Sequence, residues 1–328
     1  MEKKRLLNTD LEVSPICLGT VNYGTVLDDA YSKRQLSEFL EAGGNFVDTA
    51  KIYGSWVEGK DSPSEKVIGD WFKETGNRDK IVLATKGAHP DWDFMDVPRV
   101  HAKDIGYDLD CSLDFLKTDY IDLYFLHRDD PKVPVEEIVD CLDAAVDAGK
   151  IRYYGCSNWH LSRIKEAAEY ARSKGSKGFV VNQLMLSLAD INFYNLADKS
   201  FVLLDGETDE YQSQAGMNAM AYMSIAKAFF TRKAGGENLP PSVSDVYEND
   251  TNTQIYNKIL SFVKNNPDYS IIDLSLMYIM HRNKYPTIPI ASFDNSAQLK
   301  SGLACWNKPM PVELMNEFDS IKKYVYWK

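Results

Sequence analysis

What this chain lacks narrows it first. No apolar run approaches the ~18 residues needed to cross a bilayer. Met1-Glu2-Lys3-Lys4-Arg5 is followed by only two leucines before Asn8 and Asp10, so no signal-peptide core is visible. The expectation is a cytoplasmic protein with no membrane partner. Cysteine is scarce and scattered: Cys17, Cys111, Cys141, Cys156 and Cys305 form no Cys-x-x-Cys pair, which argues against a metal ribbon or a disulfide framework. The histidines other than His127, namely His89, His101, His160 and His281, show no ligand spacing, so no metal is expected. Positive charge is in deficit, with a formal net charge of −11 over 328 residues, which weighs against nucleic acid as the main partner. No Gly-x-Gly-x-x-Gly follows the first strand-like run, so a doubly wound sheet has no support.

What is present is ordinary for a globular chain: 44% apolar and 26% charged residues. The length suits one large α/β unit spanning 1–328. Arg5 to Val13 reads as two short strands around an Asn-Thr-Asp turn, an N-terminal β-hairpin. Pro15 to Leu18 is the first buried strand. Ser32 can cap a helix carrying Leu36, Phe39 and Leu40, stopped by Gly43-Gly44. A second strand ends at Asp48, Ser62-Pro63-Ser64-Glu65 opens another helix, and Ile81 to Lys86 is a third strand. A helix from about Val100 to Leu116 leads to a fourth strand, Tyr120 to His127, and Pro134 to Ala148 is helical. Ile151 to Ser157 and Phe179 to Gln183 are strands five and six, separated by a helix from Leu161 to Ser173. Residues 185–215 show no clean period. Met217 to Tyr222 is a seventh strand, and Arg232 to Asp250 reads as a polar surface excursion. Helices at about Asn252–Lys264 and Ile271–Asn283 precede an eighth strand, Thr287 to Ile290.

Eight strands alternating with helices imply right-handed βαβ units and an all-parallel sheet. In a chain of this size that is a (β/α)8 TIM barrel with its chemistry at the C-terminal face. Three consecutive strands end there in charge. Asp48 closes a buried strand and asks for a cationic partner, because a carboxylate is tolerated inside only when it is paired. Lys86 ends the next strand and His127 the one after, with Tyr53 five residues beyond Asp48. A structural ion pair, or a satisfied core histidine, is the bland alternative for each of these taken alone.

The set Asp48-x4-Tyr53, Lys86 ending a strand, His127 ending Tyr-Ile-Asp-Leu-Tyr-Phe-Leu-His, Gly149-Lys150-Ile151-Arg152 before Ser157-Asn158-Trp159, and Asn182-Gln183 resembles the aldo-keto reductase superfamily over nearly the whole chain. That family is a barrel of NAD(P)H-dependent oxidoreductases interconverting carbonyls and alcohols. The resemblance implies that Asp48, Tyr53, Lys86 and His127 form its catalytic tetrad. The chemistry fits: reducing a carbonyl needs a hydride and a positioned acid, and a phenol of pKa ~10 needs a cation to hold its phenolate. His127 would orient the substrate oxygen.

The resemblance also maps Ser157, Asn158 and Gln183 onto a nicotinamide carboxamide and Tyr222 onto a stacking ring, with Gly19, Thr20, Asp48, Ser224, Ala226 and Lys227 along the cofactor. The chain departs from the family at Met223-Ser224-Ile225-Ala226-Lys227-Ala228, where Ser-Pro-Leu-Gly is usual. It departs again at Ser292 and Gln298, where basic residues often hold a 2′-phosphate, and at Gly302, where asparagine often meets adenine. With Asp294 nearby, NADH or dual use is expected over strict NADPH, unless Arg282 or Lys300 compensates.

Tyr23, Trp56, His89, Arg128 and Trp159 are the candidate substrate contacts. Aromatics mixed with an arginine and carboxylates suggest a sugar-like or polyol carbonyl. Two other readings stay open: a non-catalytic nucleotide-sensing barrel subunit, and a Schiff-base lyase using Lys86. A homo-oligomer is left open.

Overall fold

Short runs rich in small and branched apolar residues pair side by side in the computed structural model, which describes residues 2–322. Lys4–Arg5 (β1) and Glu12–Val13 (β2) form an antiparallel pair. The next eight strands close a parallel barrel. They are Cys17–Gly19 (β3), Phe46–Asp48 (β4), Val82–Gly87 (β5), Ile121–Leu126 (β6), Ile151–Ser157 (β7), Phe179–Met185 (β8), Asn218–Tyr222 (β9) and Thr287–Ala291 (β10). The expected hairpin and (β/α)8 barrel are both there.

The barrel places the chemistry through side-chain alternation. Phe46, Ala84, Leu123, Phe125 and Val181 point into one interior apolar cluster, which Leu6, Leu11 and Val13 of the hairpin region join from the amino-terminal side. Two residues further along the same strands, on the same faces, stand Asp48, Lys86 and Gln183, and His127 follows Phe125 by two. An apolar layer thus underlies a polar one at the C-terminal mouth. Gly155 makes room for that interior: a Cβ there would lie 2.6 Å from the Phe125 ring and 2.5 Å from the Val181 carbonyl oxygen.

Helices cover the outside. The first, α1 (Asp29–Glu41), starts earlier than expected. Asp28 is its cap, accepting from the Tyr31 N–H at 2.7 Å, while Ser32 lies within the first turn and donates to the Leu27 carbonyl at 3.3 Å. Pro63–Thr75 (α2) begins at Ser62-Pro63 as expected and ends at Gly76, where φ is +65°. Its buried Glu65 accepts from Thr85 at 2.5 Å and Ser62 at 2.8 Å, tying the start of α2 to β5 beside Lys86.

Ala102–Leu116 (α3), Val135–Asp147 (α4) and Leu161–Ser173 (α5) match the expected helices closely. The stretch 185–215 contains a short turn at Phe193–Asn195 and Gly206–Ala215 (α6). The residues α6 buries are Thr208, Asp209 and Gln212, so it has no apolar stripe from which a period could be read. The expected excursion at 232–250 is partly helical: Phe229–Ala234 (α7) and Pro241–Tyr247 (α8) bury Phe229, Phe230, Val243, Val246 and Tyr247. Asp250–Asn265 (α9), Ile271–Met280 (α10), Ser296–Leu303 (α11) and Val312–Ile321 (α12) complete the wall. No helix among the described residues is long and apolar enough to cross a membrane.

Candidate active site

At the mouth of the barrel a buried lysine uses all of its donors. The Lys86 ammonium gives hydrogen bonds to Asp48 Oδ2 at 2.7 Å, to the Thr49 carbonyl at 2.7 Å and to the Tyr53 hydroxyl at 3.0 Å. The other carboxylate oxygen of Asp48 accepts from Gln183 Nε2 at 2.8 Å. Asp48 and Lys86 are each 1% exposed. Burial opposes the charge of Lys86, but the Asp48 carboxylate and the Tyr53 oxygen together outweigh it and hold the ammonium above its ordinary pKa. Burial likewise lifts Asp48 above the usual carboxylate range against the pull of Lys86. Tyr53 is raised too, because burial outweighs the ammonium beside it. Its phenol is therefore neutral at rest, with its oxygen accepting from Lys86 and its own proton unused in that bond.

His127 stands over this group, its ring 5.9 Å from that of Tyr53 and 4.8 Å from that of His89. Burial, with His89, Arg128 and Lys86 around it, pushes its pKa well below the ordinary imidazole value, so the ring is neutral. Its Nδ1 is buried without a hydrogen-bond partner. An orphaned buried N–H is rarer than an orphaned acceptor, so we assign the proton to Nε2. A neutral imidazole in that tautomer is a hydrogen-bond donor towards the cavity. His89 bonds the Pro90 carbonyl through Nδ1 at 2.7 Å, and burial lowers its pKa to about 4.

These groups open on a cavity of about 370 Å3, which Asp48, Tyr53, His127 and Gln183 all line. Lys86 sits behind them. Gly19, Thr20, Ser157, Asn158 and Tyr222, expected along the cofactor, also line it. Asn158 adopts a left-handed φ of +61° and is held on both sides. Its Nδ2 donates to Ser157 Oγ at 3.0 Å and the His127 carbonyl at 3.3 Å, while its Oδ1 accepts from Tyr222 at 2.6 Å and the Val202 N–H at 3.2 Å.

Ser224 and Lys227 reach the same cavity, with Ser224 donating to the Ile290 carbonyl at 2.6 Å. Ala226, Lys227 and Ala228 have φ of +50°, +53° and +59°, three successive non-glycine residues in the left-handed region. Such backbone costs on the order of 1–2 kcal/mol per residue and persists mainly at functional sites. Ala226 is buried and does not face the cavity.

The residues expected at the adenosine end are placed differently. Ser292 lines the cavity but spends its hydroxyl on the Gly19 carbonyl at 2.9 Å. Gln298 lies outside the cavity and accepts from the Asp294 N–H at 2.8 Å. Arg282 is committed to Asp209 at 2.8 Å. Gly302 lies under Phe293, whose ring a Cβ would meet at 2.3 Å, so phenylalanine fills the space a larger residue would need.

Among the substrate candidates, Trp56, His89 and Arg128 line the cavity, and Trp56 stands 5.9 Å from Trp92. Arg128 is not a free cation: its Nη2 pairs with Asp198 at 3.0 Å. Tyr23 and Trp159 do not line the cavity. Tyr23 is buried, with its hydroxyl on Gln35 at 2.9 Å, and Trp159 is buried against Phe179, donating to the Arg128 carbonyl at 3.2 Å. Both are wall residues, because rings this large are buried by preference unless the cavity takes them. Phe201 was missed; it lines the cavity and lies 5.6 Å from the Tyr222 ring. The available signal was the length of the connection between β8 and α6, since long loops at a barrel's C-terminal face carry sites.

An aldo/keto reductase family model matches residues 15–323. Norsolorinic acid reductase B of Aspergillus parasiticus is 28% identical over 311 residues, 87% of this chain and 75% of that protein. An uncharacterized oxidoreductase of Bacillus subtilis is 40% identical over 184 residues, 53% of this chain and 56% of its own length. An aryl-alcohol dehydrogenase (NADP(+)) of Phanerodontia chrysosporium is 34% identical over 192 residues, 52% of this chain and 47% of its own. The aligned stretch thus spans about half the length of these last two relatives. A thermostable aldo-keto reductase crystallised with the inhibitor epalrestat superposes with a TM-score of 0.73, covering 98% of this chain and all of that one at 22% identity, a likeness of fold alone. With the barrel closed as expected and one family model spanning residues 15–323, the chain belongs to the aldo/keto reductase family.

Proposed function

We propose that this barrel, as one unit, is an NAD(P)H-dependent reductase of a small carbonyl compound, with Tyr53 as proton donor. The observation that carries the reading is the Lys86 ammonium 3.0 Å from the Tyr53 hydroxyl and 2.7 Å from Asp48. The donor set suits a nicotinamide dinucleotide: Ser157 and Gln183 keep hydroxyl and amide capacity that a carboxamide requires, Asn158 holds Ser157 in place, and the strained Ala226–Ala228 backbone lies beside the same cavity. When bound, that cofactor supplies the hydride. The chain's own residues then do the rest. His127 donates from Nε2 to the substrate oxygen, and Tyr53 transfers its proton to that oxygen as negative charge develops. Lys86 stabilises the phenolate left behind, and Asp48 keeps Lys86 charged.

We favour NADH or dual use. Ser292 and Gln298 are occupied by the backbone, Asp294 adds negative charge and Arg282 is paired elsewhere. The substrate reading moves from sugar-like towards aromatic. That expectation rested on aromatics mixed with an arginine and carboxylates, whereas Asp198 neutralises Arg128, and Trp56, Trp92, Phe201 and Ile52 present apolar walls. The Schiff-base alternative loses ground, because a nucleophilic lysine needs its lone pair and Lys86 donates three hydrogen bonds.

The test is oxidation of NADH and of NADPH, followed at the nicotinamide absorbance, with benzaldehyde and with an aldose of similar size. Turnover of benzaldehyde with NADH at a rate at least equal to that with NADPH supports the reading. No turnover of either aldehyde with either dinucleotide overturns it.

A further inference from the structure

The cavity with the tetrad has a roomier neighbour. A space of about 550 Å3 lies beside the first, and Phe201 belongs to the walls of both. Its lining is apolar through Leu186, Ile191, Phe193 and Leu203, and three charged groups, Asp190, Asp205 and Lys322, interrupt it. Its volume is in the range of small-molecule sites.

Asp205 is spent on capping α6, whereas Asp190 and Lys322 keep bonding capacity. Lys322 is 8% exposed, and its ammonium gives a hydrogen bond to the Ser187 carbonyl. No carboxylate among the described residues forms an ion pair with it, and Asp190 acts on it only at longer range. The ammonium also lies 5.5 Å from the Tyr278 ring, and with one of its three donors in a hydrogen bond to a described residue it keeps capacity for a polar ligand. The Asp190 carboxylate accepts a long bond, 3.4 Å, from Asn249 and another from the Ile191 N–H. Burial lowers Lys322 to about 8 and raises Asp190, as sparse solvation of both would require.

A ligand that completes this site needs an apolar body and one polar end that both accepts from an ammonium and donates to a carboxylate. A carboxylate ligand would meet Asp190 and the lining Asp205 as like charges, and an amine would meet Lys322. A hydroxyl does both jobs, and a phenol adds a flat ring suited to Phe193 and Phe201. We propose that this second cavity binds a phenol, its hydroxyl bridging Lys322 and Asp190 and its ring lying against Phe193, Phe201 and Leu203.

The partition between the cavities also links them. Val202 donates its N–H to Asn158 Oδ1 at 3.2 Å, and its carbonyl accepts from the Met185 N–H at 2.8 Å. A phenol against this wall acts on Asn158 and so on dinucleotide affinity. That consequence rests on the function proposed above; phenol binding itself does not.

The experiment is calorimetric titration of the full chain, without dinucleotide, with 2-naphthol, naphthalene and 2-naphthoate at pH 7. Variants are Lys322→Met, Lys322→Arg, Asp190→Asn, Leu203→Trp and Trp56→Ala, each checked for an unchanged melting transition. The expected result is 2-naphthol binding more tightly than the other two. It weakens at least tenfold in Lys322→Met and Asp190→Asn, survives in Lys322→Arg and Trp56→Ala, and is lost when Leu203→Trp fills the space. No binding to the wild type overturns the proposal, as does binding that ignores Lys322 and Asp190 or that falls with Trp56→Ala. Failure of the oxidoreductase reading would appear in the aldehyde assay and leave these titrations untouched.

Discussion

Asp48 lies opposite Ala84 in the pairing of β4 with β5, and Lys86 is two residues further along on the same face, so the lysine reaches back along the strand to place its ammonium 2.7 Å from the carboxylate. Register alone brings the pair together. The lysine's stem fills the barrel mouth, and its charged end comes within 3.0 Å of the Tyr53 hydroxyl.

If Tyr53 is the acid, Tyr53→Phe removes the transferable proton and leaves the ring that packs against His127. The turnover of benzaldehyde should fall by about 10²–10⁴. Dinucleotide affinity, followed by quenching of tryptophan fluorescence, should stay within about twofold. A variant retaining more than a tenth of wild-type turnover would assign the proton to another group.

The Asp48–Lys86 pair should show coupling in stability. Removing one partner leaves a buried charge uncompensated, at a cost of roughly 3–5 kcal/mol for either Asp48→Asn or Lys86→Met. The double variant should lose less than the sum, because no orphan charge remains. Urea unfolding of the four proteins measures this, and strictly additive losses would contradict it.

Coenzyme choice should respond to charge at the turn before α11. Replacing exposed Asp294 by arginine removes a repulsive charge and adds a donor for a 2′-phosphate. NADPH should bind about tenfold more tightly, a gain of about 1.4 kcal/mol, with NADH nearly unchanged. Unaltered binding of both dinucleotides would separate this turn from the 2′-position.

Stability should fall in acid through the two facing imidazoles. Burial depresses both His127 and His89, the latter to about 4. Below the unfolded value of ~6.5 the unfolded chain takes up protons that the folded one refuses. Their contribution is therefore complete above about pH 6.5; that of His89 is lost as pH falls towards 4, and His127 acts in the same direction. His89→Phe should flatten the dependence of unfolding free energy on pH between 6.5 and 4.5. An unchanged slope would mean that other groups set it.

The period-two placement of Asp48, Lys86 and His127 at three successive strand ends was legible in the chain, because a closed parallel barrel converts sequence order into neighbourhood at one face. The hairpin, the strands and most helices followed from the same local patterns. Residues 185–215 did not, since α6 buries polar side chains and Phe201 reaches the cavity from irregular backbone. Tertiary structure alone decided which aromatic rings face the cavity: Trp56 does, while Trp159 packs into the wall against Phe179. It also decided that Asp198 neutralises Arg128, and that Phe293 takes the room above Gly302. Sequence order specifies what stands at the end of a strand, because the chain itself carries that information. Which loop side chains meet, and which charges cancel, depends on contacts between segments far apart in the chain, and those exist only once the barrel is closed.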